Sequence, residues 1–135
     1  MNIMLSFLTY RVARLLFAIP FGVFGIIHFM AGSEMAGMVP EFIPGSGVWV
    51  YLTGAALMGA CVSIVAQIRV ALVCYLLACL LLVFAFTVHL PGALSENPNA
   101  ISNLLKDLSL AGGALFLAAL YSENSGIDNP INKPE

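Results

Sequence analysis

Residues 70–90 read VALVCYLLACLLLVFAFTVHL, and no Asp, Glu, Lys or Arg interrupts them. An α-helix needs about 20 mostly apolar residues to cross the hydrocarbon core of a bilayer, and this run has that length. Three more apolar runs flank it, at 11–31, 48–66 and 104–121, with charged residues almost entirely at their ends. Of 135 residues, 61% are hydrophobic and 9% charged, whereas a soluble domain carries about 25% charged residues. The pattern predicts an all-α integral membrane protein: a four-helix bundle over 11–121, with a mixed lead-in at 1–10 and a polar, disordered tail at 122–135.

The punctuation between the runs supports this division. The segment from Gly32 to Gly47 is dense in Gly and Pro and cannot be helical throughout. Gln67, Ile68 and Arg69 form a turn short enough to make its two helices antiparallel neighbours. Pro91 and Gly92 are expected to stop the third helix, and the fourth is expected to open with Lys106 and Asp107 in its first turn. Pro20 falls inside the first helix, where a membrane protein tolerates it. Arg14 is expected to snorkel toward the headgroups. Small residues mark the expected packing faces: Ala55, Gly59 and Ser63 on the second helix, Ala71, Ala78 and Ala85 on the third, Ser109 and Gly113 on the fourth.

Charge sets the expected orientation. With the N-terminus inside, Arg11, Arg14, Arg69 and Lys133 are cytoplasmic and only Lys106 is outside, so the positive-inside rule favours N-in and C-in. No Ala-x-Ala-type site follows the first run, so that helix is expected to remain as its own insertion signal. A net charge of −2 without a basic run argues against nucleic acid as a partner. Cys61, Cys74 and Cys79 form no Cys-x-x-Cys pair and read as small apolar fillers. Met30, Met35 and Met38 near His28 fit no metal motif, and no metal is expected.

Ionisable side chains at membrane depth are costly and are functional candidates. In the N-in topology His28, Glu34, His89, Lys106 and Asp107 all reach the extracytoplasmic end. Phe17, Phe21, Phe24 and His28 share one helix face at spacings of four, three and four. That face reads either as core or lipid-facing packing, or as an aromatic wall suited to a flat ring. The predicted ligand site is His28, His89, Lys106, Asp107, Glu34, Phe21 and Phe24.

Several blocks resemble the DoxX family of small bacterial membrane proteins. They are Arg14; Gly25-Ile26-Ile27-His28-Phe29; Met38-Val39-Pro40-Glu41-Phe42-Ile43-Pro44; Trp49-Val50-Tyr51-Leu52-Thr53-Gly54; His89-Leu90-Pro91-Gly92; and Asn103-Leu104-Leu105-Lys106-Asp107-Leu108 with Gly112-Gly113. The resemblance covers residues 11–121. It implies a bacterial cytoplasmic (inner) membrane location and a link to quinone-dependent redox complexes, with no agreed role for the histidines. The resulting expectation is a redox-linked membrane subunit binding a quinone-like or other small amphipathic ligand at the outer mouth. The alternative is a non-enzymatic subunit or assembly factor, with the Gly/Pro-rich outer loop as docking surface for a protein partner or a second copy. A small permease ranks last, because no polar path lies at mid-depth.

The orientation predicts that cysteines introduced at Ser95 and Ser125 label from opposite sides of the membrane, Ser95 from outside. Labelling of Ser125 alone from outside reverses the topology.

Overall fold

A computed structural model describes residues 3–95 and 97–123, all in helices and short connections. The helices are α1 (Ile3–Met30), α2 (Gly32–Ala36), α3 (Ser46–Ala66), α4 (Val70–Phe84), a π-helical turn (Ala85–His89), α5 (Leu90–Leu94) and α6 (Pro98–Glu123). Among the described residues, four stretches are long and apolar enough to cross a membrane: Met4–Met30, Ser46–Ala66, Val70–Leu94 and Pro98–Ser122. The chain divides into two compact units, residues 1–68 and 69–135. Most of the tail predicted to be disordered, residues 124–135, lies outside the described residues, while Ser122 and Glu123 belong to α6.

In the first unit α1 and α3 pack antiparallel. Gly32 lies against Tyr51, Gly25 against Gly54 and Met58, and Gly22 against Cys61. Arg14, Ala18, Phe21 and Gly25 face inward from α1, at spacings of four, three and four. Val50, Gly54, Leu57, Ala60 and Ile64 face inward from α3. A Cβ added to Gly25 falls 2.8 Å from the Gly54 carbonyl oxygen, and one added to Gly54 falls 2.8 Å from the His28 Cβ. The two backbones therefore meet where neither carries a side chain. Ala55 and Gly59, expected on the packing face, are exposed, and Gly59 has nothing within 4 Å of an added Cβ. Spacing of small residues picks out both stripes of α3; the glycine opposite, Gly25, selects the one that Gly54 occupies.

The first helix starts at Ile3 rather than at Arg11, so the expected lead-in is part of α1. Arg14 does not snorkel to the helix end. It is 8% exposed and sits on the inward face of α1. Its guanidinium lies beside the amide of Gln67, whose oxygen, in the orientation that satisfies both groups, accepts from Arg14 Nη1 and Nη2. Gln67 holds a left-handed conformation (φ 61°) and caps α3, donating its N–H to the Ile64 carbonyl. The cation thus stands at the negative end of the α3 dipole, and two hydrogen bonds offset part of its desolvation.

In the second unit α4, the π turn and α5 pack antiparallel to α6, with His89 facing Asp107 and Gly92 facing Ala100. Cys74, Leu77, Ala78, Leu81 and Ala85 are buried on one side, and Ala100, Asp107, Ala111, Ala114 and Ala118 on the other. Ala78 and Ala85 are thus on a packing face as expected. On α6 that face is the alanine row, and Ser109 is exposed.

Pro91 and Gly92 do not stop the third hydrophobic helix, which continues to Leu94. The reason is the π turn. Leu90 donates its N–H to the Ala85 carbonyl, five residues back, so the turn holds one residue more than an α turn. Pro91 then occupies one of the first two positions of α5, where its missing N–H costs least. The helix ends at Ser95, which donates its N–H to the Pro91 and Gly92 carbonyls. The exposed side records the same shift: Cys79, Val83 and Phe86 follow at helical spacing, and the next exposed position is Pro91, five residues on.

Gly25→Ala is expected to destabilise the protein by about 1–3 kcal/mol through overpacking. Gly59→Ala, in open space, is expected to be neutral or to stabilise by up to about 1 kcal/mol through helix propensity. Thermal unfolding in detergent reads both, and effects of the same sign contradict the contact.

Candidate functional site

The site in the second unit starts from two facing residues. His89 is the last residue of the π turn, and Asp107 lies ten residues inside α6 counting from Pro98. His89 Nε2 is 3.2 Å from Asp107 Oδ2, and Lys106 Nζ is 3.6 Å from Asp107 Oδ1. One carboxylate is therefore shared by an imidazole and an ammonium. Asp107 is 3% exposed, while the side chains of His89 and Lys106 are 21% and 42% exposed.

The expected placement of Lys106 and Asp107 in a first turn is corrected by where α6 begins. Asn97 opens the helix: its Oδ1 accepts from the Asn99 N–H at 3.1 Å, and its carbonyl accepts from the Ala100 N–H at 3.0 Å. Pro98 then takes the first helical position, which its fixed φ suits. Asp107 is thus far from the α6 N-terminus, and the helix dipole gives no reason for a carboxylate there. Its burial is supported by its two cationic or proton-donating neighbours instead.

The geometry defines what the pair can do. With Nε2–H directed at the carboxylate, the neutral ring keeps Nδ1 as its hydrogen-bond acceptor. A carboxylate behind a histidine fixes the orientation and tautomer of the ring, and Nδ1 remains as its second hydrogen-bonding group. Lys106 lies on the outer side of the same carboxylate and offsets its charge.

The remaining predicted residues belong to the first unit. His28 is half-buried in the last turn of α1, with its Cβ over Gly54. Its Nδ1–H donates to the Phe24 carbonyl at 2.7 Å, which leaves Nε2 as acceptor. Phe21 is 2% exposed and meets Phe17 edge-on at 5.2 Å, so it is a packing residue of the α1–α3 core. Phe24 is 38% exposed. The expected aromatic face is thus divided: Phe21 turns inward and Phe24 outward. Glu34 lies in the first turn of α2 and is exposed.

Sequence reasoning missed the Arg14–Gln67 pair and the π turn that delivers His89. An arginine near the start of an apolar run was a signal for the first, but its partner lies across the α1–α3 hairpin. Among the described residues, no group of three or more His, Cys, Asp and Glu is placed to hold a metal ion.

A family model described as a domain of unknown function (DUF8561) matches residues 17–110. No curated protein and no solved structure matches the chain.

Asp107→Ala is expected to cost about 1–3 kcal/mol, since it leaves His89 without its partner in a partly buried place. Lys106→Met should cost less than about 1 kcal/mol, because that ion pair is half in solvent. Thermal unfolding of the two variants checks the order, and equal losses remove the distinction.

Proposed function

The chain belongs to the DUF8561 family, and we propose that it is a multi-pass membrane protein of the bacterial inner membrane that binds a small amphipathic ligand, a quinone-like ring being the best fit, at the His89–Asp107 pair. The observation that carries this reading is a carboxylate 3% exposed, in a helix long and apolar enough to cross a membrane, shared between a histidine and a lysine. Ionisable groups at such depth are costly and mark sites of binding or proton transfer. The outward faces of the four long helices carry side chains suited to lipid, such as Leu16, Val62, Leu76 and Phe116. The positive-inside count and the resemblance to DoxX proteins point the same way.

In this site His89 is the ligand-facing group. Its Nδ1 donates to a carbonyl oxygen when the ring is protonated and accepts from a hydroxyl when it is neutral. Asp107 holds the ring by Nε2, and Lys106 lies against the other oxygen of the same carboxylate. A quinone would supply the two-electron chemistry, while the chain supplies orientation and a proton at His89 Nδ1. The residues present fit a ring carbonyl at His89, and the buried Phe21 is not available to flank it.

A second reading, a subunit or assembly factor of a larger membrane complex, is favoured by the exposed small residues Ala55 and Gly59 on α3, where a neighbouring helix can approach closely.

Native mass spectrometry of the detergent-solubilised protein with a short-chain ubiquinone analogue tests the first reading. Binding is expected in the wild type and in Phe21→Leu, with at least a tenfold loss in His89→Ala and Asp107→Asn. Equal binding in all four, or none in the wild type, overturns it, and a stable protein adduct without a small ligand supports the second.

A further inference from the structure

The connection between α1 and α3 carries a surface that neither the helix packing nor the His89 site uses. Met38 is 69% exposed, Phe42 78%, Val48 70% and Trp49 50%. Met30, just before the connection, is 81% exposed. These residues are held in place by local bonds. Met38 donates its N–H to the Met35 carbonyl, Ile43 to Pro40 and Val48 to Gly45, each at 2.9 Å. The Trp49 indole N–H donates to the Pro44 carbonyl at 3.0 Å, which ties the end of the connection to the first turn of α3. Gly32 packs under the Tyr51 ring and ties its beginning to the same helix.

Two further observations identify what meets this surface. First, the connection extends the outward sides of both helices. Phe29 and Met30 lead into it from α1, and Val48, Trp49 and Leu52 leave it along α3, all exposed. A surface that faces hydrocarbon along the helices reaches the headgroup region here, where tryptophan is favoured because its ring is amphipathic. Second, no Lys or Arg occurs between Arg14 and Arg69, and the connection carries Glu34 and Glu41. An apolar surface with two carboxylates and no cation has no attraction for anionic headgroups.

We propose that residues 31–45 lie in the interface of a zwitterionic bilayer leaflet, with Met38 and Phe42 in the boundary between headgroups and acyl chains. The local N–H to carbonyl bonds lower the cost of bringing this backbone out of water. Trp49 marks the level of the interface, and Glu34 and Glu41 remain on the headgroup side. This inference rests on the membrane reading of α1 and α3.

The full chain in phosphatidylcholine vesicles provides the test, using Phe42→Trp and Leu16→Trp in the background that retains Trp49, the one tryptophan of the chain. The added emission is read by difference from the wild type. For Phe42→Trp, the expected result is stronger quenching by phosphatidylcholine brominated near the glycerol end of the acyl chain than by lipid brominated near its terminus. Aqueous iodide should quench it weakly. Leu16→Trp, at a lipid-facing position inside α1, should respond more to the deeper bromine. Water-like emission from Phe42→Trp with strong iodide quenching, while Leu16→Trp responds to bromine, overturns the inference and leaves the membrane reading standing. Failure of both positions to respond to bromine overturns both. Emission from Phe42→Trp shielded from bromine and iodide alike shows cover by protein and also overturns it. Replacing part of the phosphatidylcholine with phosphatidylglycerol should leave the bromine quenching unchanged or weaker, and stronger quenching overturns the choice of lipid.

Discussion

The approach of α1 to α3 at Gly25 and Gly54 decides where the other residues of the first unit stand. In a helix whose residues are nearly all apolar, hydrophobicity does not distinguish the face that turns inward from the face left outside. Shape does. A glycine opposite a glycine brings the backbones together, and each neighbouring residue then packs according to its distance from that contact. Toward one end the contact sets His28 over Gly54 and Gly32 under Tyr51. Toward the other it sets Gly22 against Cys61 and brings Arg14 to the last turn of α3.

The second unit solves the same problem with alanines and adds a polar pair. Ala111, Ala114 and Ala118 are buried on α6, as are Leu77, Ala78 and Leu81 on α4, and the His89–Asp107 contact supplies direction at the end where α5 begins. A buried ion pair is weak evidence for net stability, because desolvation offsets the attraction. What it fixes is register: slip of α6 by one residue moves Asp107 about 100° around the helix and away from His89. Arg14 and Gln67 set the register of α1 on α3 in the same way.

The four apolar runs were legible because length and composition are enough to identify them, and the inner stretch of each lay within the helix observed. Helix ends were less legible. Arg11 marked a change in composition but not a helix start, since residues 3–10 contain no Gly or Pro to stop a helix. Pro91 read as a terminator because, in an α-helix, its ring meets the carbonyl four residues back, and nothing in the local sequence announces a π turn. Lys106 and Asp107 read as a first turn for a related reason: polar residues at the border of an apolar run look like a helix end, while Asn97 and Pro98, the actual start signal, sit nine residues earlier. Among the site residues, the pairing of His89 with Asp107 was within reach, as two ionisable residues near one end of consecutive helices. The inward turn of Phe21 was not, because Phe17, Phe21, Phe24 and His28 share one narrow face, and only the partner helix determines where along its edge the cover stops.

The π turn has a consequence for how this part of the chain tolerates changes of length. A π turn is an α turn that has absorbed one residue, and Ala85–His89 holds that residue between two α-helical stretches. Loss of one residue there lets the ladder close into a continuous α-helix without opening a gap. Everything after it then rotates by about 100° relative to α4, and Pro91 loses its place at a helix start. Substitutions at Phe86 or Val88 change surfaces, whereas a single codon gained or lost changes which side chain stands opposite Asp107. The spacing from Ala85 to Pro91 therefore acts as a reading frame for the site, set by residue count more than by residue type.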